Sequence, residues 1–301
     1  ADTPVLYLQF ENVTPQDSSG NNYWVYYAGG ASIQNLAGIG NAVHLNGAAG
    51  GAGGFVAAAP QTTAPGYGVY SDTFSFAPND ITFELWTKIE SMTQYGMIFQ
   101  QIGSYTREDY APGIGQYTAD PNLLGVFRVL NGTADANDSD FWYPGTNIPT
   151  DGGWHHLVLT YDENYNDTPN ALGIQLYLDG VLANSTVYQN AKLGPELGHI
   201  VIGAEGDRGY VYNNMVGLVD EFAIYAGVLS TERIQAHYDS GLYALTPHSC
   251  PEVWRRGMGM PGDIDRNCKV DLSDFAAIAS TWLLCNDPTL FESDPACTAT
   301  W

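Results

Sequence analysis

Short segments rich in apolar, β-branched and aromatic residues, some of them alternating with polar ones at a period of two, recur along the first three quarters of the chain. That spacing turns one side of an extended strand towards a core and the other towards a surface. The segments are residues 5–10, 23–27, 42–45, 81–89, 97–102, 124–130, 154–161, 174–178, 181–183, 199–202 and 217–225. In the fourth of them, Phe83, Leu85 and Thr87 face one way and Glu84 and Trp86 the other. Turn chemistry punctuates the series: Asp17-Ser-Ser-Gly20, Asn46-Gly47, and Asp179-Gly180, which signals a tight hairpin. Residues 48–59 are rich in glycine and alanine, and their lack of bulk predicts a close approach to neighbouring backbone, or loops. With no helical pattern between the strands, the fold class is all-β, an antiparallel sandwich and not a parallel α/β sheet.

The last strand, residues 217–225, carries apolar groups on both sides: Leu218, Asp220, Phe222 and Ile224 on one, Val219, Glu221, Ala223 and Tyr225 on the other. It should therefore be covered on both faces, with the two acids at an end or beside a cation. A helix follows over residues 231–240. Ser230 caps it, Glu232 sits in the first turn, Ile234 and Tyr238 pair across one turn, and Gly241 is placed to stop it.

Composition changes between residues 246 and 260, a linker or packed connector with Pro247, Pro251, Arg255 and Arg256. The next stretch has the rhythm of a twelve-residue calcium loop, with ligands at positions one, three, five, seven, nine and twelve. Asp263, Asp265, Asn267, the Lys269 carbonyl, Asp271 and Asp274 fill those positions in turn. Cys268 stands where glycine is usual, and Asp274 replaces the usual glutamate. Beyond it, Leu272, Phe275, Ile278, Ala279, Trp282 and Leu283 share one broad helical face. The predicted domains are residues 1–245, the connector 246–260 and a small appendage, 261–301.

Charge narrows the partners. Ten Lys and Arg against 33 Asp and Glu leave a net charge of −23, which opposes nucleic acid and anionic membrane surfaces and suits calcium or neutral sugars. No apolar run is long enough to cross a bilayer. The first residues, Ala1-Asp2-Thr3-Pro4, read as a mature end left after export. Cys250, Cys268, Cys285 and Cys297 cluster near the C-terminus, which favours two disulfides in any of three connectivities over a zinc site. Sequons at Asn12, Asn131, Asn137, Asn166 and Asn184 are candidate glycosylation sites in an exported chain.

Asp17-Ser-Ser-Gly20, Phe83-Glu-Leu-Trp86, Asp151-Gly-Gly-Trp-His-His-Leu157, Leu176-Tyr-Leu-Asp-Gly180 and residues 217–225 with Leu229-Ser230 occur in an order that resembles the laminin-G-like, or concanavalin A-like, jelly-roll family. The resemblance implies a two-sheet antiparallel jelly-roll sandwich over nearly all of residues 1–245. It also implies a structural calcium at the sandwich edge, carried over to Asp220, to the turn at Asp17 and, less directly, to Asn46. Residues 261–285 resemble the calcium-loop-plus-helix repeat of type I dockerins, without the second loop. The full expectation is a sandwich with a disulfide-stapled calcium-loop-plus-helix appendage, and Ca2+ as cofactor.

Catalysis finds little support. The alternating acids of glycosidases built on this sandwich are missing, since Trp86 and Lys88 follow Glu84 where partner carboxylates should stand. His155 and His156 point to opposite faces without a nucleophile motif and read as plain sheet residues. Sugar stacking has better material in the loop aromatics Tyr105, Tyr110, Tyr117, Phe141, Trp142 and Tyr143. The expected function is a non-catalytic, calcium-stabilised, extracellular carbohydrate-binding or adhesion protein, whose partner is a glycan or another surface protein. The alternative is a self-assembling structural glycoprotein of a surface layer, filament or matrix, and a secreted glycoside hydrolase ranks below both.

Overall fold

The computed structural model describes residues 3–36, 40–47, 53–59, 80–93, 96–102, 110–116, 123–127, 130–131, 142–147, 149, 151–169, 171–189, 191–192, 199–207, 210–212 and 215–281. The chain divides into two compact units, residues 1–35 with 40–242, and residues 36–39 with 243–301.

The first unit is built on two antiparallel sheets. One runs, in spatial order, β14 (Val181–Gln189), β13 (Ala171–Leu178), β12 (His155–Asp162), β6 (Ile81–Met92), β19 (Met215–Tyr225), β4 (Gly40–Asn46) and β3 (Ser32–Leu36), with β1 (Leu6–Leu8) also paired to β19. The other runs β11 (Trp142–Asn147), β9 (Leu123–Phe127), β8 (Tyr110–Gln116), β7 (Met97–Ile102), β16 (Ile200–Ile202), β5 (Phe55–Ala59) and β2 (Trp24–Ala28). Two short ribbons, β10 (Leu130–Asn131) with β15 (Ala191–Lys192) and β17 (Glu205–Asp207) with β18 (Tyr210–Tyr212), complete the strands among the described residues.

The core follows the alternation. Phe83 and Leu85 of β6, Leu157 and Leu159 of β12, Phe99 of β7 and Ile114 of β8 belong to one buried cluster. Phe83 stacks on Phe99 at 5.0 Å, and Tyr161 and Phe222 meet these rings edge-on. Helix α1 (Thr231–Leu245) covers the opposite face of the first sheet, where Ile234 and Leu229 pack on Val158 and Tyr177.

Three expectations need correction. The period of two in β19 breaks at Asp220 and Glu221. Glu221 has φ +51°, and the register against β6 slips between Asp220 and Ala223, so Val219, Phe222 and Ile224 all reach the same core. The bulge falls where the other edge of β19 changes partner, from β4 at residues 216–219 to β1 at residues 222–224. Residues 55–59 are not loop: β5 is an interior strand between β16 and β2, its small side chains packed in a cluster of Phe55, Ala57, Val201 and Ala204. Gly241 does not stop α1, which runs on to Leu245; a β-carbon at Gly241 would fall on the Trp86 indole, so the glycine serves a close approach.

Two helices belong to the second unit, α2 (Cys250–Arg255), inside the stretch read as a connector, and α3 (Leu272–Thr281). Ser249 caps α2, and Arg256 donates to the last carbonyls of α1, Ala244 and Leu245, at 3.1 and 2.6 Å. Among the described residues no helix is long and apolar enough to cross a membrane.

Gly217 in β19 has φ +151°, and a β-carbon there would meet the Lys88 carbonyl oxygen of β6. Gly217→Ala is expected to cost about 1–3 kcal/mol, read as a lower urea midpoint at an unchanged m-value.

Candidate functional site

Within residues 263–274, three of the six residues expected as ligands come together. Carboxylate oxygens of Asp263, Asp265 and Asp274 lie within 4.8 Å of one another. Asp263 and Asp274 are buried, at 1% and 2% exposure. Backbone donors shape the turn: Asn267 and Cys268 donate to Asp263 at 2.9 and 2.8 Å, Lys269 donates to Asn267 Oδ1 at 2.9 Å, and Ile264, Asp265 and Asp271 donate to Asp274 at 2.6, 3.2 and 2.8 Å.

The donor set fits a hard cation. A carboxylate offers about four lone-pair sites. Asp263 and Asp274 each accept three hydrogen bonds and Asp265 two, so each keeps a lone pair to offer. Oxygen ligands of this kind suit calcium.

Helix α2 braces this loop. Cys250 is crosslinked to Cys268 with the Cα atoms 5.6 Å apart, and Trp254, one turn further along, donates its indole N–H to Asp263 Oδ2 at 3.0 Å. Arg266 lies over the Trp254 ring at 5.0 Å. Cys268 takes φ +65°, the left-handed conformation that glycine ordinarily supplies at this position. Trp254 was not among the predicted site residues; its spacing of four from Cys250 is a signal only once that crosslink is known. Cys285 and Cys297 lie outside the described residues.

Each of the three edge positions is held in hydrogen bonds of its own. Asp17 accepts four hydrogen bonds, from Tyr7 N, Ser19 N, Ser19 Oγ and Tyr23 N, which saturates its carboxylate in an Asx turn. Asn46 Oδ1 accepts from Gly54 N at 2.6 Å. Asp220 sits in the β19 bulge, accepting from Glu221 N at 2.8 Å, while the Tyr7 hydroxyl donates to Glu221. Burial, aided by the charges of Glu221 and Glu11, pushes the Asp220 carboxyl up to about 8. Asp17, saturated, has no lone pair left to offer a calcium ion.

A second polar cluster lies beneath α1, and the reading of His155 and His156 as plain sheet residues misses it. Glu84 of β6, nearly buried, accepts from His156 Nε2 of β12 at 2.7 Å and from His237 Nδ1 of α1 at 3.0 Å. The carboxylate can only accept, so His156 Nε2 donates to it, and His156 Nδ1 is buried without a partner. The Trp86 ring stacks on Tyr238 at 5.8 Å and lies 5.1 Å from His156. Only the adjacency of β6, β12 and α1 creates this cluster, and no local motif announces it.

His155 bridges Asp151 and Asp179, at 2.9 and 2.8 Å. Burial lowers its pKa, but the two carboxylates prevail and the net shift is upward. The stability it adds is therefore full below its unfolded pKa of 6.5 and is lost as pH rises through the higher folded value. His155→Gln is expected to melt below the parent at pH 6 and to converge with it at pH 9, as followed by circular dichroism.

Of the aromatics expected in loops, Tyr110 begins β8 opposite Ile102, and Trp142 and Tyr143 begin β11 opposite Phe127 and Val126. These three stand on strands, while Tyr105, Tyr117 and Phe141 lie outside the described residues. Asn12, Asn166 and Asn184 are exposed, Asn131 lies in β10, and Asn137 is outside the described residues.

The sequence pattern of the concanavalin A-like lectin/glucanases superfamily matches residues 62–235, more than half of the 301-residue chain. The chain belongs to that superfamily. Among curated proteins nothing matches it. Solved structures share the concanavalin A-like sandwich. The receptor binding domain of botulinum neurotoxin type G aligns at 12% identity and TM-score 0.53, over 79% of this chain and 51% of that one. The binding domain of botulinum neurotoxin DC, in complex with SialylT, aligns at 14% identity and TM-score 0.57, over 80% and 52%. Domain 4 of AbnA, a GH43 extracellular arabinanase from Geobacillus stearothermophilus, in complex with arabinotriose, aligns at 22% identity and TM-score 0.51, over 78% and 98%. The chain thus spans about half the length of the neurotoxin binding domains it matches.

Proposed function

We propose that this concanavalin A-like protein is a non-catalytic, extracellular carbohydrate-binding or adhesion protein whose small C-terminal unit is held by calcium. The observation that carries the reading is the likeness to domain 4 of the arabinanase, which covers 98% of a domain that holds arabinotriose. The neurotoxin binding domains, one of them in complex with SialylT, support the same class of ligand. The sequestration of Glu84 under α1 by two histidines favours binding over hydrolysis, since a glycosidase needs two carboxylates facing each other across an open cleft. The Cys250–Cys268 crosslink supports an oxidising, extracellular setting. Calcium belongs to the 263–274 loop, with Asp263, Asp265, Asn267, the Lys269 carbonyl, Asp271 and Asp274 as its ligands, in a unit that resembles half of a type I dockerin.

The test is a glycan array and a polysaccharide pull-down in calcium buffer, with arabino-oligosaccharides and sialylated glycans as first probes. Retention on at least one glycan class is expected, and no retention on any would overturn the reading.

A second reading, a self-assembling surface glycoprotein, draws on the apolar face of α3, where Leu272, Phe275 and Ile278 are 82%, 64% and 41% exposed. Sedimentation across a concentration series separates the two, since a strictly monomeric chain leaves assembly without support.

A further inference from the structure

We propose that the Cys250–Cys268 crosslink and Trp254 preset the 263–274 loop for calcium, so that the loop binds calcium tightly only in the oxidised chain. This inference rests on the calcium reading of the loop and adds its regulation by redox state.

The geometry points to a two-point grip. Cys250 and Trp254 are four residues apart on α2, so they project from the same side of the helix, one turn apart. The first holds loop position six through the disulfide to Cys268, and the second holds position one through the indole hydrogen bond to Asp263. Asp263 Oδ2 accepts both the indole N–H and the Cys268 backbone N–H, so the two grips meet on one carboxylate oxygen. Cys268 is where the loop most needs help. At φ +65° a side chain crowds the backbone, which a glycine would not. The crosslink holds that residue in the strained turn. Without it, the reduced loop can relax at position six and withdraw the N–H that orients Asp263.

Oxidation proceeds by thiol–disulfide exchange: the Cys250 and Cys268 thiols give two electrons and two protons to an exchanging disulfide, which leaves as two thiols. A small dithiol reverses the step. Calcium capture would thus be coupled to arrival in an oxidising compartment.

The experiment is calcium titration of the intact oxidised chain by calorimetry, with the loop's share defined as the heat lost in Asp265→Ala. Cys250→Ala/Cys268→Ala is expected to weaken that binding at least tenfold. Cys250→Ala/Cys268→Gly should recover part of the loss, because glycine restores the left-handed turn without the crosslink. Trp254→Phe keeps the crosslink and tests the indole grip alone, so a decision remains if the cysteine variants fold poorly; a threefold or greater weakening is expected, together with loss of the terbium luminescence sensitised through Trp254. Binding within twofold of the parent in both the double-alanine and Trp254→Phe variants overturns the inference and leaves the calcium reading standing. Absence of any loop-dependent heat in the oxidised parent overturns both.

Discussion

Chelating calcium with EGTA is expected to unfold or loosen the C-terminal unit of the oxidised chain while the sandwich persists, and Asp274→Ala is expected to reproduce that state with calcium present. The reason lies in what this unit buries. Among its described residues, the buried ones are Asp263 and Asp274. A unit of this size has little apolar surface to hide and ordinarily leans on a crosslink or a metal. Here the carboxylates of Asp263, Asp265 and Asp274 crowd within 4.8 Å, in a chain that already carries a net charge of −23. Without a cation their repulsion opposes the fold. With free calcium a hundredfold above its dissociation constant, binding adds about 2.7 kcal/mol. Calorimetry should therefore show a transition that moves to lower temperature on chelation and is indifferent to chelation in Asp274→Ala. A scan unchanged by EGTA would remove calcium from the description of this protein.

Glu84→Ala is expected to be the most damaging single change in the sandwich unit, at about 3–5 kcal/mol, because it strips one partner from a buried charged cluster. His156 and His237 would lose the acceptor they share, and α1 would lose its polar anchor on the sheet. The pH dependence distinguishes this from simple loss of packing. Burial raises the Glu84 pKa, but hydrogen bonds from His156 and His237 and their charges outweigh it and hold the group at about 2, against 4.5 for an unperturbed glutamate. A carboxylate with a depressed folded pKa contributes stability that is full above the unfolded value and is lost as pH falls through the folded one. The difference between parent and variant, measured by urea unfolding, should be largest near pH 6 and shrink between pH 4.5 and about 2. A constant difference across that range would make Glu84 a packing residue.

What the sequence discloses depends on how local each signal is. The strands at residues 81–89, 154–161 and 174–178 are legible because each is a short run of apolar, β-branched and aromatic residues bounded by turn chemistry, and most of those residues are buried. The bulge at Asp220 and Glu221 is hidden because a single inserted residue exchanges the faces, and nothing local marks the place where β19 leaves β4 for β1. β5 is hidden because its alanines carry no bulk, although Ala57 and Ala58 are buried in a strand between β16 and β2. β14 is longer than its apolar start suggests, since an edge strand need not alternate. Gly241 misleads in the opposite sense: it looks like a stop, yet its missing β-carbon makes room for Trp86. The Asp263, Asp265 and Asp274 cluster is legible because its members lie within twelve residues, whereas the Glu84 cluster joins residues up to 153 apart.

The pairing of β1 with β19 has a consequence for synthesis. Leu6, Tyr7 and Leu8 find their partners in Ile224, Ala223 and Phe222, so the first strand of the chain is completed by the last strand of the sandwich. β6, near the middle of its sheet, also waits for β19 on one side. A nascent chain emerging from the ribosome would expose both until residue 225 is free, and contacts of such long sequence separation form slowly. The sandwich should thus close only once residue 225 has emerged, and the unpaired edges make the interval before it the time when a chaperone is most needed.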